Sequence, residues 1–188
     1  LVIIAITILC FVPRSARAQA IVPVGNETEL RNALAAVQEG DIIRFTSNIT
    51  LSGDLPVVST GVTIDGASFT LSGAGQFRGL MAMRPFGADV GITVTIENLT
   101  IADTIATGGA GGAGAQPGGG GAGLGGALFV GEGVHVQIRN VTIQNSQAAG
   151  GAGGAVTGDG WGGGGGMGGP GGAGTGGSFG GGGGLGHT

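Results

Sequence analysis

The chain has 188 residues, of which 48 are glycine, and it carries a net charge of −4. All seven basic residues are arginines that stand singly, so the sequence has no basic stripe of the kind that binds nucleic acid, and we predict no nucleic-acid partner. The single cysteine, Cys10, excludes a disulfide among these residues.

Residues 1–20 have the pattern of a secretory signal peptide. Leu1 to Val12 are almost wholly apolar, Pro13 ends the run, and A-x-A sites follow at residues 16–18 and 18–20. Such a run is shorter than a membrane-spanning helix, and A-x-A is the usual cleavage pattern. A buried strand or a membrane anchor is the alternative. Because the charged start of a signal peptide is missing, we expect the chain to be a fragment at its beginning.

Residues 26–40 are predicted to form one amphipathic helix. Its apolar positions recur at i, i+3, i+4 and i+7 and are Leu30, Ala33, Leu34 and Val37. Asn26 is a suitable N-cap, with Glu29 three residues on as in a capping box. Gly40 is the residue type that commonly ends a helix.

From Gly40 on, the apolar residues alternate in short runs, which is typical of half-buried strands. The alternating pairs are Ile43/Phe45, Ile49/Leu51, Leu55/Val57, Val62/Ile64 and Phe69/Leu71. Asp65-Gly66 is the one hairpin-type dipeptide among them, so the pattern does not favour a series of antiparallel hairpins.

An internal repeat organises this part of the chain. Residues 93–101 (TVTIENLTI) align with residues 135–143 (HVQIRNVTI), and residues 62–71 (VTIDGASFTL) form a weaker copy with two extra residues at the corner. A further short apolar strand precedes each copy, at Leu55 to Val58, Leu80 to Met83 and Leu128 to Val130. One such unit cannot bury its apolar face alone, but stacked units can, which predicts an all-β solenoid.

Two asparagines occupy the corner of the repeat. Asn98 and Asn140 are placed where like side chains of successive coils can form a hydrogen-bonded ladder. With Asn26 and Asn48 they also begin N-x-T triplets, which are glycan acceptors in eukaryotic secretory proteins. We favour the structural interpretation.

These motifs carry a family resemblance. The amphipathic helix, the segments GDIIRF (40–45) and VTIDG (62–66), and the repeated Asn-Val/Leu-Thr-Ile resemble the N-terminal region of pectate-lyase-like β-helices. They look still more like the passenger domains of bacterial autotransporter and polymorphic outer-membrane proteins, over about residues 22–154. The resemblance implies a right-handed parallel β-helix with a short N-terminal capping helix, which shields edge strands. It also implies secretion to the cell surface or outer membrane, with membrane anchorage only through a C-terminal region beyond these residues.

Glycine divides the rest of the chain. We assign residues 1–20 to the signal peptide, 21–146 to the cap and coils with a glycine-rich insert at about 104–126, and 147–188 to a second glycine-rich segment. The sequence after Gly181 repeats the start of residues 121–130, so we expect a further coil to follow. Each glycine-rich segment is interpreted as an unstructured loop or as a polyglycine II bundle, whereas collagen is disfavoured because glycine holds no strict period.

No residue stands out as catalytic, cofactor-binding or metal-binding, and we predict none of these sites and no cofactor. His135 and His187 are the two histidines, and neither has a plausible His or Cys partner for a metal. The glycine runs lack the Lys-Ser/Thr that ends a phosphate-binding loop. Four phenylalanines form no aromatic row and are interpreted as core or loop packing rather than as a platform for sugar rings: Phe77, Phe86, Phe129 and Phe179.

The acidic residues are isolated in the sequence. They include Asp41, Asp54, Asp65, Asp89, Glu97 and Asp103. Asp65 and Glu97 fall at equivalent coil positions, where a polysaccharide-active enzyme would place paired carboxylates. Arg139 follows at the same position, and a surface ion pair between Glu97 and Arg139 is the simpler interpretation.

Three functions remain open from the residues alone. We favour a non-enzymatic secreted or cell-surface β-helix passenger that acts in adhesion or surface interaction, with host molecules, other cell-surface molecules or glycans as partners. The alternatives are a polysaccharide lyase or hydrolase and a structural glycine-rich surface protein. Fold motifs of this kind specify architecture better than they specify function.

Overall fold

The structure, a computed structural model, describes residues 18–183 and contains one helix, α1 (Glu27–Ala36), and thirteen strands. The strands are β1 (Ile21–Val24), β2 (Ile42–Phe45), β3 (Ile49–Thr50), β4 (Thr63–Asp65), β5 (Thr70–Ser72), β6 (Leu80–Ala82), β7 (Ile92–Ala102), β8 (Ile105–Thr107), β9 (Gly114–Gln116), β10 (Leu128–Val130), β11 (Val134–Gln144), β12 (Gln147–Ala149) and β13 (Val156–Trp161). The described residues are therefore mostly β, as the alternating pattern predicts. Most of the predicted signal peptide, residues 1–17, lies outside them.

The helix begins where the sequence predicts and ends earlier. The side-chain oxygen of Asn26 accepts a hydrogen bond from the Glu29 N–H at 3.0 Å, and the Glu29 carboxylate accepts one from the Gly25 N–H at 2.7 Å. These bonds satisfy N–H groups at the start of the helix that would otherwise lack partners. The helix ends at Ala36 and not, as predicted, at Gly40.

The carboxylate of Asp41 explains the early end of α1. Its two oxygens accept hydrogen bonds from the backbone N–H groups of Gln38 and Ala20, each at 3.0 Å. The chain turns away because the Gln38 N–H bonds this carboxylate and Val37 has a ψ of 150°. Gly40 lies in the following turn with a φ of +85°, a conformation that glycine adopts without steric penalty.

The predicted apolar stripe of α1 is confirmed. Leu30, Ala33 and Leu34 are buried, and Val37 packs partly buried against the same core. The helix contacts β1, which is the strand at one end of the main sheet.

The strand pairs are parallel, and the main sheet contains seven strands. β11 lies beside β7 in the register that the repeat predicts, with His135 opposite Thr93 and Ile143 opposite Ile101. β4 and β5 both pair with β7, on either side of its corner. Thr63 faces Thr95 and Thr70 faces Thr100, so two residues between β4 and β5 have no counterpart in β7. The weaker copy and its two extra residues are thus confirmed.

The other sheets are small and have two strands each: β6 with β10, β8 with β12, and β9 with β13. The prediction of a strand at Leu55 to Val58, with Leu55 and Val57 on its buried face, is wrong. Leu55 and Val58 are buried, Val57 is only half-buried, and Val58 alone bridges to Ala82. Pro56 accounts for this difference because proline has no N–H to donate to a strand ladder.

The core thins towards β11. Ile96 and Ile101 of β7 are each 1% exposed, whereas the equivalent Ile138 and Ile143 of β11 are 52% and 51% exposed. β11 pairs with β7 on one side, and the described residues place no strand along its other side. The apolar side chains of β11 therefore extend the core without closing it.

The two glycine-rich segments form a hydrogen-bonded bundle, which we call the glycine bundle. It consists of six backbone segments: residues 108–114, 118–123, 149–155, 162–166, 169–174 and 180–183. Along each segment the bonded N–H groups recur every three residues, as in the Gly108, Gly111 and Gly114 bonds to Ala149, Ala152 and Ala155. Three residues per turn is the period of the polyproline II helix. The polyglycine II interpretation therefore fits the described residues, and the unstructured-loop interpretation is wrong for them.

The hydrogen bonds arrange the bundle as two sets of three segments. The first set is 149–155, 108–114 and 169–174, and the second is 118–123, 162–166 and 180–183. Bonded segments run parallel within a set and antiparallel between the sets. Each glycine-rich segment of the sequence thus leaves the strands in the first set and returns in the second. Segments 108–114 and 162–166 are central, because each bonds to four other segments.

We predict that a methyl group at the centre of the bundle disrupts it, whereas one at its surface does not. In Gly112→Ala the new Cβ would overlap the Gly172 carbonyl, but Gly119→Ala places its Cβ in open space. We expect Gly112→Ala to lower the free energy of unfolding by about 1–3 kcal/mol, as overpacking does, or to release the bundle. Chemical denaturation and limited proteolysis measure both effects. Equal behaviour of the two variants would contradict the bundle.

Candidate interaction surfaces

A column of charged side chains crosses the main sheet. Arg44 lies opposite Asp65, Asp65 opposite Glu97, and Glu97 opposite Arg139 in successive strand pairs. The Arg44 Nε is 2.9 Å from the Asp65 carboxylate, and the Arg139 guanidinium is 3.8 Å from the Glu97 carboxylate. The sequence-based placement of Asp65 beside Glu97 is confirmed, and so is the ion pair of Glu97 with Arg139. Each carboxylate therefore has its own arginine.

The pKa of Asp65 indicates that this carboxyl group is ionised within the column. Burial alone raises the pKa of this carboxyl group. Hydrogen bonds from the Ala67 N–H and the Asn98 amide, together with the Arg44 guanidinium, outweigh burial and hold the pKa below its ordinary value. A carboxylic acid that protonates a glycosidic oxygen needs a raised pKa. Asp65 is shifted in the opposite direction.

The predicted asparagine ladder is present at the corner. The Asn140 amide donates to the Asn98 side-chain oxygen at 3.0 Å, and the Asn98 amide donates to Asp65 at 3.2 Å. Asn98 and Asn140 have φ values of 51° and 49°, in the left-handed region that asparagine tolerates better than most residues. The ladder thus stabilises a bend in β7 and a matching bend in β11.

A second ladder lies at the end of these strands, and the sequence reasoning missed it. The Asn145 amide donates to the Asp103 carboxylate at 3.0 Å, and both residues have φ near 50°. The Thr104 hydroxyl donates to the Ser146 hydroxyl at 2.8 Å. The signal was available, because both pairs are separated by the same 42 residues as the asparagines of the first ladder.

An open groove runs beside the first ladder. We call it the corner groove, and it is lined by Ser68, Asn98, Leu99, Thr100, Asn140 and Thr142. Thr100 and Thr142 are directly opposite each other in β7 and β11. The groove offers hydroxyl and amide groups and no charged side chain, but its asparagine amides already donate within the ladder.

Arg78 joins the glycine bundle to the strands. Its side chain is 5% exposed, its Nε donates to the Asp54 carboxylate at 3.2 Å, and its Nη2 donates to the Met167 carbonyl at 3.2 Å. The backbone N–H of Arg78 also donates to Asp54, at 3.0 Å. Met167 lies in the connection between segments 162–166 and 169–174. This connection is therefore the base of the bundle.

The opposite end of the bundle carries two stacked aromatic rings. We call this end the aromatic tip; it comprises the connections 115–117, 156–161 and 175–179. The ring centroids of Trp161 and Phe179 are 4.7 Å apart, and their planes differ by 16°. Trp161 is 40% exposed and Phe179 is 79% exposed. At about 3.1 Å per residue, segment 108–114 holds the tip about 20 Å from the end of β8.

The aromatic tip corrects the interpretation of the phenylalanines as packing residues. Phe77 and Phe129 are half-buried, in agreement with that interpretation. Phe86 and Phe179 are exposed, and Phe179 stacks on a residue 18 positions away. No short-range pattern in the sequence relates Phe179 to Trp161, so the pair could be found only after the bundle had been placed.

The histidines and the cysteine were also singled out in the sequence. His135 is exposed on β11, and Cys10 and His187 lie outside the described residues. Within residues 18–183, no group of three or more His, Cys, Asp or Glu side chains could hold a metal ion. Over the same residues, no helix is long and apolar enough to cross a membrane.

Comparison with known proteins adds no assignment to these surfaces. The chain matches no protein-family model, no curated protein and no solved structure.

We predict that Asp65 makes the stability of the fold sensitive to acid. Because its folded-state pKa is lowered, the charged form stabilises the fold above the ordinary pKa of about 3.9. This stabilisation is lost as the pH falls through the lowered folded-state value. Between pH 6 and pH 2.5, the melting temperature should fall more steeply for the wild type than for Asp65→Asn. The control variant Asp159→Asn, which changes an exposed residue, should follow the wild type. Parallel curves for all three would refute this role.

We predict that Arg78→Met loosens the base of the glycine bundle. Methionine keeps the apolar stem and the backbone N–H bond to Asp54 but loses the side-chain hydrogen bonds to Asp54 and Met167. We expect the free energy of unfolding to fall by about 1–2 kcal/mol, because Asp54 is partly exposed. Cleavage at the Met167 connection should become faster. The matched variant Arg139→Met, which removes an exposed arginine, should change stability by less than about 0.5 kcal/mol. Unchanged proteolysis of Arg78→Met would show that the contact does not hold the bundle.

Proposed function

We propose that the chain is part of a secreted or cell-surface right-handed parallel β-helix, an autotransporter-type passenger, that acts by non-enzymatic contact with molecules on other surfaces. The parallel register of β4, β7 and β11 supports a β-helix, since successive copies of the repeat lie directly beside one another. The apolar run and A-x-A sites of residues 1–20 support secretion.

The observation that carries the proposed contact role is the aromatic tip. Large apolar side chains that are exposed singly are common, but those that are exposed side by side form an apolar patch, and such patches mark interaction sites. Trp161 and Phe179 are exposed at the end of a bundle that is held by backbone hydrogen bonds and does not need them for its interior. Partner recognition gives these side chains a physical reason to be there.

The charged column favours contact over catalysis. Asp65 and Glu97 are the two acids that the strands bring together, and each has an arginine partner. The lowered pKa of Asp65 keeps this group ionised, so it is a poor proton donor at neutral pH. The corner groove beside it is lined by amides and hydroxyls and has no charged side chain that could act as an acid or a base.

We predict that the purified chain binds to surfaces without turning over their polysaccharides. Export from a bacterial host should yield a mature chain that begins at Gln19 or Ile21, measured by mass spectrometry. The labelled mature chain should bind intact cells or cell-wall glycans in a saturable manner. Shortened oligosaccharides or unsaturated products from a panel of acidic glycans, lost in Asp65→Asn, would replace the proposal with an enzyme. Retention of residues 1–20 would overturn the secreted location.

A further inference from the structure

We propose that the aromatic tip binds the ring of an uncharged sugar within a surface glycan. This inference rests on the contact function proposed above and names its ligand. It depends on four features of the tip: the exposed ring faces, the backbone that holds them, the polar groups around them and the near absence of charge.

The ring geometry suits a flat ligand. The planes of Trp161 and Phe179 are nearly parallel, so each ring covers one face of the other, and the exposed fractions are 40% for Trp161 and 79% for Phe179. A pyranose ring presents C–H groups on one face, and these pack against a flat aromatic surface with the loss of little hydrogen bonding. The flanking glycines, such as Gly160 and Gly177, raise no side-chain wall beside the rings. An extended glycan can therefore lie across the tip.

Main-chain hydrogen bonds fix the two backbone segments that carry the rings. The Trp161 N–H donates to the Ser178 carbonyl at 3.1 Å, and the Gly180 N–H donates to the Trp161 carbonyl at 2.6 Å. Trp161 and Phe179 form a parallel β-bridge, and Trp161 also pairs with Gln116 of β9. A platform that is already ordered loses less entropy when a ligand binds.

The surrounding groups match the chemistry of a neutral sugar. Gln116, Thr175 and Ser178 lie in the connections that form the tip, and their amide and hydroxyl groups can exchange hydrogen bonds with sugar hydroxyls. The Ser178 hydroxyl already donates to the Thr175 carbonyl, so towards a sugar it would act as an acceptor. Among all residues of the three connections, Asp159 carries the one charge, and no cation is present. An anionic glycan or a nucleic acid would find no positive charge to pair with here.

A folded protein is a less suitable partner for this tip. A stable protein interface buries about 800 Å² on each partner and centres on a packed apolar cluster. The three connections contain four glycines, and their exposed large apolar side chains are Trp161, Phe179 and Val156. Three such side chains are enough to cover a sugar ring, whereas a stable protein interface has about 20–30 residues on each side.

Trp161 is the only tryptophan of the chain, so its fluorescence reports directly on the tip. The mature chain is titrated with uncharged oligosaccharides of glucose, galactose and mannose, with oligogalacturonate, and with choline as a cation. We expect at least one uncharged oligosaccharide to shift the Trp161 emission and to protect it from acrylamide quenching. Oligogalacturonate and choline should leave it unchanged. A response to either of these alone, or no response to any uncharged sugar, overturns the assignment.

Variants of Phe179 separate stacking from folding. Phe179→Leu keeps an apolar side chain but removes the flat ring, and we expect its affinity for the sugar to fall at least tenfold. Phe179→Tyr should restore affinity to within about threefold, and Phe86→Ala, which removes an exposed ring outside the tip, should bind as the wild type does. Circular dichroism confirms that each variant is folded. Wild-type affinity in Phe179→Leu refutes the inference.

The same variants distinguish this inference from the contact function. If Phe179→Leu still binds cells as the wild type does, the proposed function stands and the sugar site at the tip is wrong. If the wild type binds neither cells nor cell-wall glycans, the contact function itself fails. Loss of both sugar and cell binding in Phe179→Leu, with recovery in Phe179→Tyr, supports both.

Discussion

The parallel register between β7 and β11 is the constraint on which the rest of the structure depends. It continues into the next pair of strands, where Ala149 of β12 lies opposite Thr107 of β8. Both glycine-rich segments begin directly after these residues, so they leave the strands side by side. The first bond of the bundle, from the Gly108 N–H to the Ala149 carbonyl, extends this register by one step. The sheet thus supplies the alignment that glycine residues cannot supply for themselves.

The glycine bundle is organised by the absence of side chains. At Gly109 and Gly112 of segment 108–114, an added Cβ would overlap the backbone of a neighbouring segment, whereas Ala110 of the same segment is exposed. In the Gly-Gly-Ala order of segment 108–114, glycine therefore stands where a neighbouring segment is close, and alanine stands where there is room for a side chain. Ordering glycine costs more backbone entropy than ordering any other residue, and the many backbone hydrogen bonds of the bundle offset this cost. Because these bonds need no side chains, the side chains at the aromatic tip are not needed to hold the bundle together.

The parts of the structure that follow a period were predictable from the sequence, and the parts that depend on glycine were not. The 42-residue repeat predicts the pairing of β11 with β7, the ladder of Asn98 and Asn140, and the ion pair of Arg139. Glycine carries no side-chain pattern, so the sequence could not show which segments bond to one another. For the same reason it could not bring Trp161 to Phe179. The end of α1 escaped prediction because it depends on a carboxylate beyond the helix.

The two candidate surfaces differ in what a ligand must displace. In the corner groove a ligand competes with ladder bonds, because the amides of Asn98 and Asn140 already donate to neighbouring strands. Losing such bonds weakens the bends that shape the groove. At the aromatic tip, backbone hydrogen bonds hold the segments that carry the rings, and the Phe179 side chain is 79% exposed. A ligand there gains apolar contact without breaking the fold, since burying an exposed aromatic face is favourable by itself. Under the proposed function, the strands therefore serve as the scaffold and the ligand binds at the end of the bundle.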